Sequence, residues 1–250
     1  MASMTASLKT TILLKSFQCH RQPQKPSNWM LVVRLHNLPR YRSLTSVRPR
    51  RASALSPSDT DDLVEKDWSF LDDLDVSNAD RIISAGAIKD AEKILISTAS
   101  EGFVDRLMET KNSGEVLVAH KSLFVLAGIK EKYDDEVKCW QGNLTRVPTN
   151  WAPLDVVFLY FVPALEDDLD AVLEALSNVC SPGARVVLSH PQGRAALREQ
   201  RSKFEDVITA DLPEDITLRT IADAHRFHVT QFVDEDGIFL AVLSFTGTAI

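Results

Sequence analysis

The stretch Ser189-His190-Pro191-Gln192-Gly193-Arg194 holds the side chains best suited to chemistry in this 250-residue chain. A histidine four residues before an arginine, at the end of an apolar run, can act as general base beside an anion clamp. The competing reading is structural: Gly193 leads the chain into a helix and its neighbours are ordinary loop polars. His225 and His228 flank Phe227, but without a nearby cysteine or a Glu-x-x-His spacing they make poor metal ligands. Cys139 and Cys180 fit no zinc spacing and stand in apolar contexts at strand or helix ends, so they read as core thiols more readily than as a redox pair. The sequence has no glycine-rich phosphate loop ending in Lys-Ser/Thr, no nucleophile elbow and no repeat.

The elements that must position these residues are readable from periodicity. Residues 155–160 form an apolar run without clean alternation, as expected for a strand covered on both faces. Leu169, Val172, Leu173, Leu176 and Val179 then recur at steps of three and four. That spacing predicts a crossover helix with Glu166, Asp167, Asp170 and Glu174 facing water, the acids gathered where the macrodipole favours them. Pro182 and Gly183 are expected to end it, and residues 185–189 to form the next strand, which carries His190 at its end.

Before this unit, 93–97, 115–119 and 137–140 read as strands. A helix is expected over 102–111, with Phe103, Leu107 and Met108 inward and Gly114 closing it. Another is expected over 123–133, with Leu123, Leu126, Ala127 and Ile129 buried. Ser77 followed by Asp80 resembles a capping box for a short helix carrying Ile82, Ile83 and Ile88. Beyond His190, 194–204 and 213–227 read as helices, the latter with Ile216, Leu218, Ile221, Ala222 and Ala224. Residues 228–245 are two apolar runs about a Glu-Asp-Gly turn, a β-hairpin with Gly237 in the turn. The alternation predicts an α/β, Rossmann-like, doubly wound fold: a mostly parallel seven-stranded sheet with a C-terminal antiparallel hairpin.

Charge divides the chain. Residues 1–58 hold ten basic residues and no acid, leaving 18 basic against 35 acidic residues in the remainder, a net of −17. An acid-free, Ser/Arg-rich stretch beginning Met-Ala-Ser resembles a chloroplast transit peptide, expected over 1–52 with cleavage near 51–54. A basic arm that binds nucleic acid is the alternative. Neither 12–14 nor 30–33 is long enough for a secretory core or membrane span. The net of −17 argues against an electrostatic nucleic-acid binder. Residues 53–80 form an acidic segment in which nine acids from Asp59 to Asp80 accompany the single Lys66, with Trp68, Phe70 and Leu71 interleaved. It reads either as a solvated linker pinned by its aromatics or as a docking segment for a basic protein partner.

Local motifs over residues 81–250 carry a family resemblance. Residues 141–148 (QGNLTRVP), the Leu154-Asp155-Val156-Val157 opening of a strand, and 175–187 (ALSNVCSPGARVV) resemble segments of the class I S-adenosylmethionine-dependent methyltransferases. The resemblance implies S-adenosylmethionine as cofactor, a pocket beyond the first three strands, and a substrate-contacting role for Tyr160 at the end of the fourth, where a core aromatic is the other reading. Laid over 94–102 (ILISTASEG), the family's acid falls on Ile96 and its three glycines on Thr98, Ser100 and Gly102. Its ribose-binding acid falls on His120, which has one acceptor when neutral, and its adenine-reading acid on Asn143, which has no charge. Thr98 and Ser100 still offer hydroxyls and Gly102 a helix start with free amides.

The resulting expectation is a plastid-stromal methyltransferase-like protein with weak or lost cofactor binding. Two alternatives stay open: an active methyltransferase on an unknown substrate, and a non-catalytic binding or assembly factor with an acidic surface. The leader makes its own prediction: N-terminal sequencing of the protein isolated from tissue begins between Arg50 and Thr60, and an intact Met1 terminus contradicts it.

Overall fold

The computed structural model describes residues 65–71 and 76–247. The leader expected over 1–52 lies outside them. The described chain builds a seven-stranded sheet in the order β3-β2-β1-β4-β5-β7-β6. Its strands are β1 Lys93–Ser97, β2 Glu115–His120, β3 Val137–Gln141, β4 Leu154–Leu159, β5 Cys180–His190, β6 Phe227–Glu235 and β7 Ile238–Phe245. The helices are α1 Ala79–Gly86, α2 Glu101–Thr110, α3 Leu123–Tyr133, α4 Leu169–Ser177, α5 Gly193–Lys203 and α6 Asp215–Ala224. Helices α1, α2 and α3 pack in a row, and α4 packs on α6.

The first five strands are parallel, with Leu95 between Leu117 and Val157. Strand β7 runs antiparallel to both β5 and β6, Val187 facing Val242, so the doubly wound sheet with its terminal hairpin is the observed architecture. Gly237 sits at φ +87 in the hairpin turn, a conformation that favours glycine. Strands β1, β2 and β4 are buried on both faces because helices cover both, which is why their sequences do not alternate.

Several local expectations are corrected. Pro182 and Gly183 do not end α4; they lie inside β5. The helix stops at Ser177 and Asn178, whose side chains donate to the Glu174 carbonyl, leaving the next turn no free acceptor there. Leu154 pairs with Cys180 but Val156 with Arg185, so 181–184 bulge from the ladder. The Asp155 carboxylate compensates by accepting from Ser181 Oγ and from the Glu92 and Lys93 amides. No capping box forms at α1: Asn78 holds the N-cap, and its amide donates to the carbonyls of Pro191 and Gly237. Ile88 lies in a short 3-10 turn after α1.

In α3, Leu126 and Ile129 are buried as expected, but Leu123 and Ala127 are exposed, and Phe124 is 76% exposed. In α6, Leu218 and Ala222 are buried while Ile216 and Ala224 face out. Val104 joins Phe103 and Leu107 in the core, with Met108 at its margin.

Residues 65–71 lie against the domain, with Trp68, Phe70 and Leu71 only 6%, 3% and 1% exposed. The aromatics of the acidic segment thus pin it down. Phe70 packs on Phe161 at 4.9 Å and on Phe204 at 5.1 Å between ring centroids.

Candidate functional site

The strand order reverses between β1 and β4, and in an open α/β sheet the crevice beyond the carboxyl ends of such strands is the ordinary ligand site. Here β1 delivers Ser97 and Thr98. Thr98 adopts φ +52, a left-handed conformation that costs a β-branched residue about 1–3 kcal/mol. Its hydroxyl donates to the Ser97 carbonyl at 2.8 Å and accepts from the Phe161 amide at 3.3 Å, tying the exit of β1 to that of β4. Ser100 caps α2 by accepting from the Phe103 amide at 3.2 Å, and Gly102 lies in the first turn of that helix. Ile96 is fully buried between Val118 and Phe158 in the sheet.

Strand β2 ends on His120, which is 2% exposed. Its Nδ1 accepts from the Ser122 amide at 2.9 Å, so Nε2 carries the proton in the neutral ring. Nε2 has no hydrogen-bond partner, and the Trp68 ring packs edge-on at 4.5 Å. Burial lowers the pKa of His120 to about 4, against the lesser effect of the Ser122 hydrogen bond. Beside it, Glu166 receives Lys121 at 2.7 Å and Lys66 at 2.9 Å. Burial raises its pKa, but the two ammoniums outweigh that and hold the carboxyl below its usual range. Asn143 and Thr145 both donate to Asp167, each at 2.8 Å.

Thr98, His120 and Asn143 therefore line one space, together with Ser97, Lys121 and Asp167, but its volume is about 20 Å³. That is room for one water. A larger groove of about 510 Å³ is lined by Phe70, Gln192, Glu199, Gln200, Lys203 and Phe204.

The structure places the expected catalytic residues elsewhere. Tyr160 is fully buried, its ring 4.2 Å from that of Phe103 between centroids, which matches the core reading. His190 is fully buried beneath Phe161. Its Nδ1 accepts from the Gln192 amide at 3.3 Å and its Nε2 donates to Gln200 Oε1 at 3.0 Å. Burial lowers its pKa to about 4. With both nitrogens engaged and no route to solvent, the ring is a poor general base. Arg194 turns away from it. Its guanidinium binds Asp234 at 2.7 and 2.9 Å and donates to the carbonyls of Leu212 and Pro213, leaving little to clamp an anion. Cys180 is buried with its pKa pushed up to about 12 and Cys139 is partly buried, consistent with inert thiols. Among the described residues no group of three or more His, Cys, Asp or Glu side chains is placed to hold a metal ion.

From the sequence, Trp68 and Phe70 are expected to pin the acidic segment but not at this crevice, and Lys121, Glu166, Phe161 and Phe204 are not expected there at all. The one signal was the alternation of Trp68 and Phe70 within an acid-rich stretch.

The buried rings set a pH dependence. His120 and His190 ordinarily titrate near 6.5 and here near 4, so between those values the unfolded chain binds more protons and stability falls as pH drops. Urea unfolding at pH 7 and pH 4.5 measures it. His120→Gln should lose about 2 to 3 kcal/mol less than the unaltered chain over that interval; equal losses would mean that the ring is not buried neutral.

No family model matches the chain, and no curated protein matches it. Solved structures do. One chain of the "Complex between the Haloferax volcanii Trm112 methyltransferase activator and the putative methyltransferase" is 13% identical, with a TM-score of 0.59 over 72% of this chain and 94% of that one. The N-methyltransferase NodS from Bradyrhizobium japonicum WM9, in complex with S-adenosyl-L-homocysteine, is 12% identical, with a TM-score of 0.55 over 74% of this chain and 95% of that one. Human N-acetylserotonin methyltransferase in complex with S-adenosylmethionine is 13% identical, with a TM-score of 0.51 over 68% of this chain and 52% of that one. Identities this low speak to fold and not to activity, and on that ground the chain has the class I S-adenosylmethionine-dependent methyltransferase fold.

Proposed function

We propose that this protein is a plastid-stromal member of the methyltransferase fold that binds S-adenosylmethionine weakly or not at all and works by binding a partner. The reading is carried by the crevice at the ends of β1, β2 and β3, where about 20 Å³ remains against the roughly 300–1,000 Å³ that a ligand of drug size occupies. The residues do not fit the cofactor either. Its ammonium, ribose hydroxyls and adenine amine call for carboxylate acceptors, yet the three family acid positions hold Ile96, His120 and Asn143. The acids that do stand there are spent, Glu166 on two lysines and Asp167 on Asn143 and Thr145.

Losing each charged hydrogen bond costs about 1.5–3 kcal/mol, so even partly additive losses move a micromolar site towards millimolar. The plastid assignment rests on the ten-to-zero charge imbalance of residues 1–58, and the expectation of a basic partner on the net of −17 beyond them. The exposed Leu123 and Phe124 at the start of α3 give such a partner an apolar foothold.

Titration calorimetry of the chain with S-adenosylmethionine is the test. The expected result is no saturable heat, or a dissociation constant near the millimolar range. A constant of about 10 μM or tighter, abolished by Gly102→Val, would restore the active methyltransferase.

A further inference from the structure

We infer that residues 65–71 are a displaceable plug, an intramolecular occupant of the crevice that keeps it closed by packing Trp68 on His120 and Phe70 between Phe161 and Phe204. The inference deepens the proposed function, since it concerns the same crevice.

The contacts that tie the segment to the domain are side-chain contacts. Lys66 reaches Glu166 at 2.9 Å, and Glu65 accepts from the Leu123 amide at 3.3 Å. Trp68 meets His120 at 4.5 Å, and Phe70 meets Phe161 and Phe204 at 4.9 and 5.1 Å. Its own backbone bond, from the Leu71 amide to the Trp68 carbonyl at 2.9 Å, stays within the segment. It can therefore leave without breaking a rung of the sheet. The ion pair is partly exposed, with side chains 31% and 30% accessible, so it steers the segment more than it fastens it. The aromatic rings do the fastening.

The segment also touches the lining of two spaces. Phe70 forms a wall of the groove of about 510 Å³, and Trp68 covers His120, which lines the remnant of about 20 Å³. Withdrawing the two aromatics takes away the wall that Phe70 gives the groove and the ring that Trp68 lays against His120. It also uncovers the His120 Nε2 proton, which has no hydrogen-bond partner while the indole sits over it, and frees Lys121 and Glu166 from their shared bridge with Lys66. Segments held by few apolar side chains belong to the low-stability end of a domain and open without global unfolding.

The test follows both histidine rings by NMR titration of the full chain and of Trp68→Ala. In the unaltered chain both rings titrate near pH 4. If the indole closes the crevice, Trp68→Ala moves His120 up by at least about one unit towards 6.5, while His190, which Trp68 does not touch, stays in place. An unmoved His120 overturns the plug and leaves the proposed function standing. Tight binding of S-adenosylmethionine by Trp68→Ala alone supports the plug and overturns the proposed function. Should both rings move together, the variant has lost its fold, and amide exchange in the unaltered chain decides. Leu71 and Leu123 amides exchanging at least about 100-fold faster than those of Leu95 and Val157 sustain the plug; equal protection overturns it.

Discussion

Trp68 resting on His120 is the contact on which the carboxyl edge of this sheet depends. A neutral imidazole is buried there at the end of β2, and the Trp68 ring packed against it adds to the burial that disfavours its charged form. The cover is close to energetic balance. Burying Trp68, Phe70 and Leu71 returns about 4.5–9 kcal/mol, and the three aromatic pairings made with His120, Phe161 and Phe204 add about 1.5–4.5. Ordering a seven-residue backbone costs about 7–14. A segment held this loosely closes the crevice without locking it.

The chemistry of the crevice follows from the same contact. Parallel strands β1, β2 and β4 must end somewhere, and each end exposes backbone and loop polars that need partners. In this chain they find one another. Thr98 links β1 to β4, Ser100 and Ser122 cap α2 and α3, Asn143 and Thr145 share Asp167, and two lysines share Glu166. Satisfied groups have little left to offer a small molecule.

The fold was legible in the sequence because fully covered strands are unbroken apolar runs and because α4 has one apolar stripe. Val172, Leu173 and Leu176 make up that stripe, and all three are buried. The same logic failed on α3, where LFVLAGI is apolar all round, so periodicity could not say that Leu126 and Ile129 go in and Leu123 stays out. Pro182-Gly183 looked like a stop because nothing local reveals that Asp155, far away in sequence, holds open a bulge for it. The site was half legible. The resemblance pointed to Thr98, His120 and Asn143, which line one space, while Ile96 lies within the sheet. The plug could not be read, since seven residues carry no period and Phe161 and Phe204 lie some 90 and 130 residues onward. His190 looked catalytic because nothing local reveals Phe161 against its ring or Gln200 at its Nε2.

The most direct test is whether the Trp68–His120 contact survives the cofactor. Nuclear Overhauser cross-peaks between the indole and imidazole rings, 4.5 Å apart between centroids, can be recorded in the full chain with and without about 0.1 mM S-adenosylmethionine, a concentration that fills a site of about 10 μM and leaves a millimolar one nearly empty. The account predicts cross-peaks of unchanged intensity and an unmoved His120 resonance. Loss of the cross-peaks, with shifts at Ile96, Thr98 and Asn143, would contradict it.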